Sequence, residues 1–395
     1  MKLPIYMDNN STTQLDPAVF EAMRPCFLEK YGNASSKDHS FGWEADSAVE
    51  NARKQVSGLI NSDPSEIIFT SGATESINLA HFGIAESYYS KGKRIITTSI
   101  EHSAVLDSLR NLEKKGFEVI YLDVNKDGFI DLNYLKNLID ENTLLVSIMT
   151  ANNEIGIINN IDEIGKICKS KDVFFHTDAT QAIGKIPFDV KSLNTDLVSF
   201  SAHKFYGPKG IGILYLNKDR RFKMQPRQFG GGQEKGLRPG TLNVPSIVGI
   251  GKAAEICRLV MENESAGITK LWNKLYDGIV NNLDDVNING SMEDRLPNNL
   301  NLSFKYAKAE NIILNMKEVA VSTGAACTSA SLKPSHVLKA LGLSDEAIKS
   351  SVRISPGRFT TEEEIDYVIK RIVETVNSIR SYSPEYNLNH KISII

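Results

Sequence analysis

The sequence predicts an α/β fold, with a large, mainly parallel sheet covered by helices on both faces and a smaller α+β unit beside it. Three observations carry that expectation. Short apolar runs at residues 67–69, 95–98, 117–122, 144–149, 173–175, 197–200 and 211–216 recur with helical patterns between most of them. Most of these runs have no polar face, so they read as strands buried on both sides. After about Gly251 the strand series stops and long helical stretches begin.

Taken in order, residues 5–13 form a short strand breaking into a polar turn, and Asp16-Pro17 supplies an N-cap and first-turn proline for a helix. Tyr31-Gly-Asn-Ala-Ser-Ser36 reads as a loop. Ala48, Ala52, Val56, Leu59 and Ile60 recur at helical spacing and end at Asn61-Ser-Asp-Pro64. Helices follow from Thr74 and over 103–115, the latter closed by Gly116. Further on, 300–304, 319–321 and 352–354 are candidate strands. A last helix opens on the capping box Thr361-Glu-Glu-Glu364 and carries Ile365, Val368, Ile372 and Val376 on one face. This organisation predicts a large domain over 14–255 and a small α+β domain built from 1–13 with 256–395.

With 395 residues, 41% hydrophobic and 24% charged, the chain can bury two cores. A net charge of -3 gives no electrostatic reason to expect nucleic acid or an anionic membrane as partner. No apolar run reaches the roughly 18 residues of a membrane span, and the N-terminus lacks signal or transit character, so a cytoplasmic location is expected. Four cysteines without a C-x-x-C pair argue against a disulfide framework and a zinc site, so no metal is expected and the thiols are reduced.

In such sheets ligands collect at the carboxyl ends of the strands. Thr70-Ser-Gly-Ala-Thr-Glu-Ser76 opens a helix after a strand, and its N–H groups, including those of Ala73 and Thr74, make a phosphate seat. Ser99-Ile-Glu-His102 and Thr150-Ala-Asn-Asn-Glu154 bring polar groups to the same rim. Asp178 is a carboxylate leaving a very apolar strand, costly there unless paired, either with an internal donor or with a cationic ring nitrogen of a cofactor. Lys204 follows Phe200 at another strand end. A desolvated lysine keeps a free amine able to form a Schiff base with an aldehyde. Phosphate turn, planar His102, buried Asp178, Gln181 and an amine together describe a socket for pyridoxal 5'-phosphate (PLP).

These segments, with Ala151-Asn-Asn-Glu-Ile-Gly156, His176-Thr-Asp-Ala-Thr-Gln181, Ser201-Ala-His-Lys-Phe-Tyr-Gly-Pro-Lys-Gly210 and Ser322-Thr-Gly-Ala-Ala-Cys327, resemble the signatures of cysteine desulfurases of the IscS/NifS type. Those belong to the class V branch of fold-type I PLP-dependent transferases, and the resemblance runs from Leu3 to about Pro384. It implies that Lys204 holds PLP, His102 stacks on its ring, Asp178 pairs with the ring nitrogen and Gln181 with the phenolate oxygen. Ala73, Thr74, Ser201 and His203 would serve the cofactor's phosphate end. Thr241 would reach the phosphate of a neighbouring subunit, which implies a homodimer.

The resemblance also makes Arg353 the clamp for the substrate carboxylate, assisted by Asn33 and Asn153, and His102 an acid/base for the substrate thiol. Cys168 and Cys257 lie on apolar helix faces and Cys26 beside Phe27, as inert core residues do. Cys327 sits in a small-residue stretch without periodicity, matches the family's persulfide-forming cysteine, and is the expected nucleophile. The implied reaction converts L-cysteine to L-alanine with sulfur transferred to Cys327. From there sulfur would pass to an iron-sulfur scaffold protein, with Cys327 able to bridge a cluster, or to another acceptor. A selenocysteine lyase, another class V lyase or aminotransferase, and a catalytically silent scaffold subunit are the alternatives. One departure from the usual pattern is Gly324-Ala-Ala-Cys327 in place of Gly-Ser-Ala-Cys.

Overall fold

The computed structural model describes residues 2–220, 222–323 and 334–390. The strands are β1 (Ile5–Tyr6), β2 (Ile67–Thr70), β3 (Arg94–Thr98), β4 (Glu118–Leu122), β5 (Thr143–Ser147), β6 (Phe174–Asp178), β7 (Leu197–Ser201), β8 (Gly212–Leu216), β9 (Val286–Ile288), β10 (Leu300–Phe304), β11 (Val319–Ala320) and β12 (Ser351–Ile354). A seven-stranded sheet has the order β2-β8-β7-β6-β5-β3-β4. The apolar runs explain it: β2, β5, β6 and β7 are buried at every residue, with helices on both faces.

The pairs β4–β3–β5–β6–β7 are parallel, whereas β8 is antiparallel to both β7 and β2. One strand therefore runs against the other six. The stretch between β7 and β8 is too short for the helical crossover that a parallel neighbour needs, and Gly207-Pro-Lys-Gly210 turns the chain back instead. Gly212 permits the close pairing: a Cβ there would lie 2.5 Å from the Gly72 backbone.

The second sheet is antiparallel, in the order β12-β10-β9, and β1 pairs in parallel with β11. Apolar cores form on both faces of the large sheet and against the small one. The helix Val244–Val280 joins two of them: Ile247, Ile250, Ala253, Ala254 and Cys257 pack in a core of the large sheet, and Trp272, Leu275 and Ile279 in that of the small one. The expected boundary between 255 and 256 falls inside this continuous helix.

Local signals act as their chemistry requires. The Asp16 side chain accepts the Ala18 N–H to cap the helix Pro17–Met23, and Thr361 and Glu364 form the capping box of Glu362–Ser381. That helix is not the last, because Ser383 caps a further short one, Pro384–Asn389. Among the described residues no helix is long and apolar enough to cross a membrane.

Candidate active site

Because six strands of the large sheet share a direction, the segments after β2, β3, β5, β6 and β7 meet at one rim. They line a cavity of about 540 Å³, together with residues from the N-terminal segment and Arg353 of β12. Ala73, Thr74, His102, Asn153, Asp178, Gln181, Ser201, His203, Lys204 and Arg353 all line it. Asn33 and Thr241 do not. Asn33 lies in an exposed turn, where its Oδ1 accepts the Ser35 N–H, and Thr241 is exposed in the loop before Val244–Val280. Cys327 lies outside the described residues.

The helix Ala73–Ser87 begins at Gly72 without a capping side chain, so its first N–H groups and its dipole are available at the cavity. His203 sits nearby with Nδ1 3.1 Å from Thr12 Oγ1. Burial, then the charges of Lys204, Lys209 and Lys185, lower its pKa to about 4, which keeps the ring neutral near pH 7. Lys204 is buried, and its Nζ donates to the carbonyl oxygens of Asn10 (2.7 Å) and Ser11 (2.6 Å). Asp178 is also buried and accepts the Thr180 N–H, and among the described residues it has no cation in ion-pair contact. An unneutralised buried carboxylate at a cavity wall is the chemistry that a protonated ring nitrogen satisfies.

His102 caps the helix Ser103–Glu113 by accepting the Ala104 N–H at Nδ1, 3.1 Å away. That bond places the neutral ring's proton on Nε2. Beside it, Glu101 is fully buried: one carboxylate oxygen accepts from Thr98 Oγ1 and Met149 N–H, while Oε2 has no partner among the described residues. Burial, opposed by those two hydrogen bonds and reinforced by Asp178, pushes its pKa up to about 8.

Arg353 leaves the core face of β12, where Val352 and Ile354 pack, and points the other way, as the alternation predicts. It is not at the surface. Its side chain is 2% exposed, and Nη2 donates to Asp8 Oδ1 (2.8 Å) and Ser11 Oγ (2.7 Å), with Nη1 donating to Asn153 O (2.8 Å). Beneath the rim lies a fully buried polar network. His81 Nδ1 meets Ser108 Oγ (2.7 Å), its Nε2 meets Ser147 Oγ (3.0 Å), and His176 bridges Ser147 (2.8 Å) and Ser199 (2.9 Å).

The aminotransferase class-V family profile matches residues 5–368. The cysteine desulfurase IscS of Anaeromyxobacter dehalogenans is 52% identical over 388 residues, covering 98% of this chain and 96% of that protein. The chain belongs to the IscS/NifS-type cysteine desulfurases of the class V aminotransferase family. Among solved structures, a NifS-like protein superposes with a TM-score of 0.89 at 41% identity, covering 95% of this chain and all of that one. The structure of SspA in complex with cysteine gives a TM-score of 0.80 at 36% identity, covering 90% of this chain and 100% of that one. Enzymes of this family are PLP-dependent, and the uncapped helix start, the unneutralised Asp178 and the buried Lys204 fit that cofactor.

Several contributors carry weaker sequence signals. Asn10 and Ser11 belong to the polar run after β1, and only the fold brings their carbonyls to Lys204. Gln181 is more committed than expected: Nε2 donates to Asn10 O (2.9 Å) and Oε1 accepts from Lys185 Nζ (2.7 Å). Cys26, Cys168 and Cys257 are buried free thiols. Burial raises the pKa of each, that of Cys257 to about 11, which makes them poor nucleophiles.

Proposed function

We propose that the chain removes sulfur from L-cysteine, releases L-alanine, and carries the sulfur as a persulfide on Cys327 to an acceptor. One observation carries this reading. A single cavity joins Lys204, Asp178, an uncapped helix start and a buried arginine, in a chain half identical to a cysteine desulfurase. PLP, when bound, supplies an electron sink for the substrate's α-carbon.

The chain's own residues do the rest. Arg353 binds the substrate carboxylate through its planar guanidinium, with Asn153 beside it. Asn33 is assigned to the same carboxylate, which requires its exposed turn to approach the cavity. Asp178 would hold the proton of the ring nitrogen, Gln181 would present its amide NH₂ to the phenolate oxygen, and Ala73, Thr74, Ser201 and His203 would receive the phosphate. Lys204 takes the α-proton at Nζ, and His102 exchanges a proton with the substrate thiol at Nε2, the nitrogen not used in capping. The Cys327 thiolate attacks the substrate sulfur: an S–S bond forms, the C–S bond breaks, its electron pair stays on the carbon product, and protonation there gives alanine.

Exposure of Thr241 and of Phe229 in the preceding loop supports a homodimer in which Thr241 serves the partner's phosphate. Free thiols support a reducing, cytoplasmic setting, and the IscS relatives support an iron-sulfur scaffold as acceptor. Borohydride reduction of the holoenzyme followed by peptide mass spectrometry should find a pyridoxyl group on Lys204. Cys327→Ser should keep the cofactor's absorbance but release no alanine from cysteine. Retained alanine production would refute the nucleophile assignment.

A further inference from the structure

Lys185 is a buried amine to which the reaction above gives no task. It is 8% exposed, follows Gly184 in the turn after β6, and among the described residues makes no ion pair. Its Nζ donates to Gln181 Oε1 at 2.7 Å. The other end of that amide, Nε2, donates to Asn10 O at 2.9 Å, and the same carbonyl accepts Lys204 Nζ at 2.7 Å. The chain of contacts is thus Lys185, Gln181, Asn10, Lys204.

These contacts fix which way the Gln181 amide faces. A flipped amide would set its oxygen against the Asn10 carbonyl, an acceptor only, and would take from Lys185 Nζ the acceptor it holds at 2.7 Å, losing two hydrogen bonds and creating a repulsion. In the observed orientation Nε2 has a second hydrogen beyond the one used on Asn10. Gln181 lines the catalytic cavity, so that hydrogen is the donor it can offer a ligand.

We propose that Lys185 is a positioning residue that, by donating to Oε1, locks the Gln181 amide with its NH₂ toward the cofactor's phenolate oxygen. This rests on the reading of Gln181 given above. The charged groups facing Lys185 are Lys204, Arg353 and Glu264 of the helix Val244–Val280, with Glu262 and Arg295 around the cavity on its far side. Glu264 does not neutralise it, because its carboxylate is bound to Arg358 Nε at 2.7 Å. Burial, with Lys204 and Arg353 adding to it, holds the Lys185 pKa well below the usual lysine value.

The test is the pH titration of the visible absorption band of the holoenzyme. Lys185→Met removes both the amide lock and any charge. A phenolate oxygen that loses a donor becomes more basic, so the proton it shares with the Schiff-base nitrogen on Lys204 is held more tightly. The band's pH midpoint should therefore rise, by about half to one unit. Lys185→Arg, which keeps a donor able to reach Oε1, should restore most of the wild-type midpoint. A role in stability alone would move the urea midpoint and leave the band unchanged. Should the Lys185→Met midpoint match wild type while mass spectrometry still finds the pyridoxyl group on Lys204, the inference fails. A wild-type protein without that adduct would instead overturn the underlying reading.

Discussion

Arg353 has an observed partner, Asp8, and a proposed one, the substrate carboxylate, which substitution can separate. Its side chain is 2% exposed and faces Asp8, itself 16% exposed, at 2.8 Å. Arg353→Met strands the Asp8 carboxylate without a cation. Breaking a buried pair this way costs about 3–5 kcal/mol, and the residual water contact of Asp8 brings the expected loss to about 2–4 kcal/mol. The substrate carboxylate also loses its charged, planar partner, worth about 2–4 kcal/mol, so KM for cysteine should rise about 30- to 700-fold. Adding Asp8→Asn removes the stranded charge. The double variant should regain most of the stability, yet its KM should stay high because the clamp is still missing. Urea unfolding of the three proteins, with alanine release measured against cysteine concentration, reads both quantities. If KM recovers together with stability in the double variant, Arg353 only holds the N-terminal segment in place and the clamp assignment is wrong.

Two other substitutions separate local structure from chemistry. His102→Asn keeps a side chain able to cap Ser103–Glu113, so stability should stay within about 0.5 kcal/mol while turnover falls about 10²- to 10⁴-fold. Unchanged turnover would remove His102 from proton transfer. His81 is held near 3 by burial, below the 6.5 of the unfolded chain. Between those pH values the unfolded state binds a proton that the native state refuses, so stability falls as pH drops. His81→Gln should make the loss between pH 6 and pH 4 shallower by about 1.4 kcal/mol per pH unit, read from urea midpoints, and parallel curves for the two proteins would show that burial does not keep His81 neutral.

How much of this was legible in the sequence follows from where each signal resides. The large sheet announces itself because β5, β6 and β7 are apolar at nearly every position, and the strand-end rule then points to Asp178 and Lys204 without tertiary information. The alternation in β12 gave the face of Arg353, but its partner Asp8 lies at the opposite end of the chain, and no local pattern announces a pairing across 345 positions. The reversal of β8 had a local cause in Gly207-Pro-Lys-Gly210. Periodicity alone cannot report it, because an apolar strand reads the same in either direction. Lys185 carries no local signal for a related reason: in Ala182-Ile-Gly-Lys-Ile-Pro187 a lone lysine resembles a surface residue, and only the fold buries it against Gln181.

The N-terminal segment explains why a site on the large sheet includes a residue from the small one. β1 pairs with β11, and Asp8 bridges to Ser355, so this stretch starts as part of the smaller unit. Within a few residues its carbonyls at Asn10 and Ser11 accept hydrogen bonds from Lys204 Nζ, the Ser11 hydroxyl accepts one from Arg353, and Thr13 N–H donates to His203 O at 2.9 Å. The amine and the guanidinium are therefore spaced by one short polar strap rather than by an apolar core. Because backbone carbonyls hold the lysine, side-chain changes at Asn10 leave that grip intact. A backbone displacement of the strap moves Lys204 Nζ and the Arg353 guanidinium together, which, with the proposed roles of the two residues, couples cofactor attachment to substrate binding through the same few peptide groups.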